Sequence, residues 1–310
     1  MSVEYLDEIV DEQQDEPGPP PEVLAFLGER EKTWQQANVL LSDFLARFEK
    51  GKFPKPFKLD AFSLLEVGPG CLTAIGAPPA TGKTSSAMQI VFEILKENPV
   101  SAYVANSESA FDGIVMRELS RRSGVGTSKI RRGDLSVDEK DRLFHQALLL
   151  GTDLERVKWL GKQFSTEVLL ELRKFPPGLL VVDYLQKCAP ATGDTKGAIQ
   201  ALLNELRELA RIGWAVLILS ATNRSNGNGN KQQSFRDSSE VEYQADFAYV
   251  MQVDEGQDEN ALDQRITFCC VKNRWDRQVD VPMVFHKSEQ RFEQRYNFAG
   301  DFAVSSDPFE

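Results

Sequence analysis

No run of this 310-residue sequence approaches the roughly 18 apolar residues of a membrane span. The opening MSVEYLDEIVDEQQDE has neither the basic start nor the apolar stretch of a secretory signal. Cysteine and histidine are scarce. Cys71, Cys188, Cys269 and Cys270 show no C-x-x-C spacing, and two histidines are too few to accompany them, so neither a zinc site nor a disulfide frame is expected. The adjacent Cys269 and Cys270 fall in the apolar run ITFCCV and read as strand thiols. Together these absences read as a chain of the reducing cytoplasm, away from membranes. A basic excess is missing too. The net charge is −11, which argues against nucleic-acid binding through a broad positive face. The deficit is uneven, however: residues 1–16 hold seven acids and no base, and so carry seven of the eleven net charges. The mildly acidic remainder can still hold DNA if its basic groups line a channel.

What is present is ordinary soluble composition, 41% hydrophobic and 27% charged, in a chain long enough for one large α/β domain. Residues 1–22 join the acidic run to PGPPP and read as a disordered tail. Residues 23–57 read as a helical linker segment. Trp34, Ala37, Leu41, Phe44, Leu45 and Phe48 share one helical face, and Gly51 and Pro54 end the pattern. Residues 58–295 alternate strands with helices, and 296–310 form a C-terminal tail. Alternation of this kind implies right-handed crossovers and a mostly parallel twisted sheet with helices on both faces. The runs 245–253, 266–271 and 281–285 read as closing strands without intervening helices, expected to extend the sheet as antiparallel edges.

Three motifs carry chemistry. The run Ala77, Pro78, Pro79, Ala80, Thr81, Gly82, Lys83 and Thr84, followed by Ser85, fits the phosphate-loop pattern with alanine in its first place. A strand enters it and a helix leaves it, so backbone N–H groups and the helix N-terminus face an anion. In that pattern Lys83 would bridge the β- and γ-phosphates of ATP, and the Thr84 hydroxyl would coordinate Mg²⁺. The second motif is Leu179 to Asp183, four apolar residues that deliver one carboxylate at the C-terminal tip of a buried strand. Alone it is a common strand ending; beside a phosphate loop it reads as a second Mg²⁺-holding group. The third is Glu108, just past the next strand. A carboxylate there orients or deprotonates an attacking water, or simply complements a helix N-terminus; the residues alone leave both open. Likewise Lys272 and Arg274, taken alone, read as solvated strand-end charges.

The ordered set of motifs resembles the DnaB-type replicative helicase family. IGAPPATGKT is similar to that family's phosphate loop. The run from Ile114 through Arg117 and the run from Ser128 to Leu135 resemble its stretch after the catalytic glutamate. Asp183-Tyr184-Leu185-Gln186 looks like its Walker B ending. Asn223-Arg224-Ser225 and the run from Phe235 to Asp246 resemble its DNA-loop motif. Lys272-Asn273-Arg274 is similar to its K-x-R element, and Phe285 with Arg291-Phe292 to its closing strands. The resemblance spans roughly residues 58–293 and implies a RecA-like P-loop ATPase domain. It further implies a homo-oligomeric, hexameric ring with ATP and Mg²⁺ between subunits, and translocation on single-stranded DNA in replication. Lys83, Thr84, Glu108 and Asp183 would act from one subunit, with Lys272 and Arg274 reaching across as a finger pair and Arg117 contacting the base. Arg236, Asp237, Ser239 and Lys231 would meet DNA in the channel, and a helicase loader or primase is the implied protein partner.

Three departures from the family pattern stand out. The N-terminal collar domain is absent from this sequence, with about 57 residues ahead of the ATPase domain. Where the family carries a glutamine after its strand-ending serine, this chain reads Ser220-Ala221-Thr222. The candidate channel segments are poor in base: the run from Ser225 to Ser234 carries only Lys231, and that from Lys187 to Lys196 only its two terminal lysines. These features keep a second reading open, a RecA-fold switch ATPase for loading, recombination or regulation.

Overall fold

The computed structural model describes residues 37–50, 55–160, 164–189, 194–222, 239–258 and 261–295. Chain contacts divide the protein into two units, residues 1–53 and 54–310. In the first, α1 (Ala37–Glu49) leaves Val39, Leu40, Leu41, Phe44 and Phe48 exposed. Trp34, the acidic tail and the C-terminal tail lie outside the described residues.

In the second unit a nine-stranded sheet runs in the order β3-β2-β4-β5-β1-β6-β7-β8-β9. Its parallel strands are β1 (Leu72–Ala77), β2 (Ala102–Asn106), β3 (Val157–Trp159), β4 (Leu179–Asp183), β5 (Ala215–Ala221) and β6 (Phe247–Val253). Its antiparallel extension is β7 (Asp263–Asn273), β8 (Val281–His286) and β9 (Arg291–Gln294). The helices of this unit are α2 (Lys83–Glu97), α3 (Phe111–Ser123), α4 (Thr127–Arg132), α5 (Val137–Leu154), α6 (Thr166–Leu172), α7 (Leu185–Cys188), α8 (Thr195–Arg211) and α9 (Ser239–Gln244).

Alternate residues of each strand serve opposite faces, and the core is split accordingly. Leu179 and Val181 join the cluster under α2 that includes Ile90, Ile94 and Phe292. Leu180 and Val182 join the other, under α8, with Leu202, Leu206 and Trp214. Both faces of the central strands are therefore apolar, which is why LLVVD reads as an unbroken apolar run. Ser136 and Glu139 close a reciprocal capping box that fixes the start of α5.

The closing strands depart from expectation in one respect. β6 is not an antiparallel edge: it pairs in parallel with β1, Thr73 opposite Phe247. The chain leaves β5 at the C-terminal edge of the sheet and re-enters at the N-terminal edge through α9, a crossover too poor in apolar periodicity to read from sequence. Only β7 to β9 are antiparallel. Cys270 is buried in β7 and Cys269 half-buried beside it.

Candidate active site

The phosphate loop hangs on the end of β1. Gly82 lies at φ +82°, in the left-handed region, immediately before α2. A Cβ on it would come within 2.8 Å of the Phe285 ring and 2.9 Å of Phe292, so glycine is required both for conformation and for space. Thr81 turns inward and donates to the carbonyl of Pro78 at 2.9 Å. The loop borders a cavity of about 710 Å³ lined by Ala77, Pro78, Pro79, Ala80, Gly82, Lys83, Thr84 and Ser85. Of the predicted run, only Thr81 stays off its wall. Glu108, Ser109, Arg117, Tyr184, Ala221, Phe285, Lys287 and Gln290 complete the lining.

Asp183 ends β4 next to Asn106, which ends β2 in register with it. Thr84 Oγ1 and Asn106 Nδ2 each donate to Asp183 Oδ2 at 2.7 Å. The other oxygen, Oδ1, is buried with no hydrogen-bond partner. Burial pushes the Asp183 carboxyl above its ordinary range, against the opposing pull of the Thr84 bond and the Lys83 charge. Lys83 shows the converse: burial lowers its amine, while Asp183 and Glu108 oppose the shift. The Lys83 amine donates to the Ser220 carbonyl at 3.5 Å and lies 4.7 Å from the centre of the Tyr184 ring. Asn106 Oδ1 accepts from the backbone N–H groups of Glu108 and Ser109, fixing the turn that brings Glu108 to the cavity. Glu108 is half exposed, 3.9 Å from the Lys187 amine.

These donors fit Mg²⁺. A hydroxyl and an unpartnered, desolvated carboxylate oxygen are hard oxygen ligands beside a phosphate loop, and Mg²⁺ characteristically takes one or two protein oxygens and completes its shell with water and substrate phosphates.

Lys272 and Arg274 lie elsewhere. Arg274 donates its backbone N–H to the Asp246 carbonyl at 3.0 Å, and its guanidinium is 3.4 Å from Asp246 Oδ1. Asp246 is buried, accepts from Leu72 N at 2.9 Å and also pairs with Arg207. Leu72 opens β1 and the phosphate loop leaves its far end, so the two sites are a strand length apart, about 17 Å. The Lys272 amine donates to the carbonyls of Glu242 and Tyr243 at the end of α9, and burial and the neighbouring Arg274 both lower it. Lys231, Arg236 and Asp237 lie outside the described residues; Ser239 opens α9.

Sequence reasoning passed over Asn106 and the β8–β9 turn. Asn106 carries a signal in retrospect, since a polar residue ends an apolar strand in VAN two places before Glu108. The turn carries none: Gln290, at φ +57°, accepts from the Ser85 hydroxyl at 2.6 Å across 205 residues of sequence.

The sheet order and the loop at its centre define a RecA-like fold with a phosphate-loop site. Solved structures agree on that fold. A solved ATPase domain superimposes with a TM-score of 0.70 at 18% identity, covering 85% of this chain and all of that one. A DnaB-like replicative helicase, solved with attention to its interactions with primase, gives 0.67 at 18% identity, covering 94% of this chain and 74% of that one. Residues 59–294 match the DnaB-like helicase C terminal domain, and the chain belongs to that family. Among relatives, the replicative DNA helicase DnaB of Helicobacter pylori (strain ATCC 700392 / 26695) is 28% identical over 200 residues, 59% of this chain and 40% of that protein. The chain spans between 40% and 54% of the length of such relatives. Among the described residues no helix is long and apolar enough to cross a membrane.

Proposed function

We propose that this chain is an ATP-hydrolysing motor that moves along single-stranded DNA during replication, with its sites completed between copies in a ring. The family and the cavity chemistry support the nucleotide part. In this reading the loop from Ala77 to Ser85 holds the phosphates, Lys83 neutralises them, and Arg117 borders the nucleoside end. Thr84 and Asp183 would hold Mg²⁺, which supplies charge neutralisation across the phosphate oxygens. Glu108, on the cavity wall, would take a proton from an attacking water.

One observation carries the assembly: the strand-length separation of Arg274 from the phosphate loop of its own chain. Arg274 sits where β1 begins, and its guanidinium cannot reach a phosphate held at the opposite edge of the same sheet. In this reading it would serve one held by a second copy, as a finger acting in trans, with Lys272 beside it. Lys231, Arg236, Asp237 and Ser239 are assigned to DNA. With few bases per chain, grip would come from repetition around the ring, and a loader or primase would be the partner.

A second reading, a switch ATPase without translocation, is favoured by Ala221. It lines the cavity with only a methyl group and so passes no side-chain hydrogen bond onward. Steady-state ATP turnover with and without single-stranded DNA, in wild type and Arg274→Ala, separates the two. Stimulation by DNA, together with loss of turnover but retained nucleotide binding in Arg274→Ala, is expected of the motor. Turnover indifferent to DNA would leave the switch as the better account.

A further inference from the structure

One amide side chain joins the exits of two central strands. Gln186 follows β4 by three residues and lies in α7, off the cavity wall. Its Nε2 donates to the hydroxyl of Ser220 at 2.8 Å, and its Oε1 accepts from the backbone N–H of Ala221 at 3.4 Å. Ser220 and Ala221 are the last residues of β5. The Ser220 carbonyl is in turn the acceptor of the Lys83 amine. Three hydrogen bonds thus connect the phosphate-binding lysine, the end of β5 and the helix after β4.

Two segments leave this junction. Immediately beyond α7 comes the run from Ala189 to Lys196, and beyond β5 the segment with Lys231, Arg236 and Asp237. In the motor reading, the family resemblance assigns these two stretches to the channel. The Lys83 bond to Ser220, at 3.5 Å, is at the long limit for a hydrogen bond. An amine drawn to phosphate oxygens gives it up at little cost, whereas the Gln186 bond to the same residue is short. In the motor reading, the Lys83 partner of Ser220 is the one that would respond to nucleotide, and the Gln186 partner belongs to the root of the other channel segment.

We infer that Gln186 is a positioning residue that links occupancy of the phosphate loop to both channel segments, the part that a methyl group at position 221 cannot play. The inference rests on the motor reading of the chain. It assigns Gln186 no contact with substrate, so its loss uncouples the two activities of the chain without removing either site.

The test is ATP turnover titrated with single-stranded DNA in wild type, Gln186→Ala and Gln186→Glu, with KM for ATP and the thermal midpoint measured alongside. Gln186→Ala is expected to keep KM and midpoint near wild type while stimulation by DNA falls about fivefold or more, the scale of a coupling between sites. Gln186→Glu keeps an acceptor for the Ala221 N–H but cannot donate to Ser220, whose hydroxyl would have to turn and donate instead, so an intermediate loss is expected. Undiminished stimulation in Gln186→Ala overturns the inference and leaves the motor reading standing. Wild type that is not stimulated overturns the motor reading, and the inference with it. A lowered midpoint with equal losses of basal and stimulated turnover makes Gln186 a structural residue and also overturns the inference.

Discussion

Thr84 donates its hydroxyl to Asp183 Oδ2 at 2.7 Å, and Asn106 donates to the same oxygen at the same distance. Asp183 Oδ1, buried beside them, accepts nothing. One half of the carboxylate is saturated by the protein and the other is held out of water without a partner. Such a group costs folding free energy that only a bound cation or a proton can offset, and it marks Asp183 as kept for its chemistry.

Asp183→Asn should therefore stabilise the nucleotide-free protein at neutral pH while it disables hydrolysis. The folded-state carboxyl is raised above its unfolded value by burial. Its ionisation thus penalises the fold at every pH above that raised value. The penalty fades as pH falls through the folded value toward the ordinary aspartate range. Thermal melts across pH are expected to show a higher midpoint for the variant at pH 7, with the gap closing in acid. Turnover should fall about 10²–10³-fold, as for loss of one preorganised charge-stabilising group. A lower midpoint at pH 7 would count against the buried, unpaired carboxylate.

Gly82→Ala tests the loop itself. The new methyl meets the Phe285 and Phe292 rings under 3.0 Å at a left-handed φ, so either the β8–β9 wall shifts or the loop opens. We expect a loss of about 1–3 kcal/mol in stability together with weakened nucleotide binding, read by melts and by titration with a fluorescent ATP analogue. Unchanged binding would mean that the two rings do not buttress the loop.

Glu108→Gln distinguishes a water-activating carboxylate from a helix-terminal acid. If Glu108 handles a proton, turnover should drop about 10²–10⁴-fold with nucleotide affinity kept within a few-fold. Turnover close to wild type would return Glu108 to the helix dipole, where its half-exposed position and its Lys187 neighbour would suffice to explain it.

Much of this arrangement is legible in the sequence because it is local. The run from Ala77 to Thr84 specifies strand, turn and helix within a dozen residues, and LLVVD announces a strand buried on both faces. Residues brought together across long separations are harder to read. Asn106 meets Asp183 only through strand register, and Gln290 meets Ser85 only through the β8–β9 turn. The parallel placement of β6 was not legible either, because the crossover before it carries little apolar periodicity. The pairing of Arg274 with Asp246 lies between these cases. Both residues stand in motifs that the family resemblance picks out, yet their distance from the chain's own phosphate loop follows only from the order of the strands.

That distance bears on the central claim, that each site is completed by a second copy of the chain. The direct measurement is ATP turnover, with single-stranded DNA present, in an equal mixture of Lys83→Ala and Arg274→Ala, each inactive alone. If Arg274 acts in trans, random assembly creates interfaces with an intact Lys83 on one side and an intact Arg274 on the other. Turnover should then recover to about one quarter of wild type, the share of such interfaces in a randomly mixed ring. A mixture no more active than either variant alone, in assemblies shown to exchange subunits, would contradict the account.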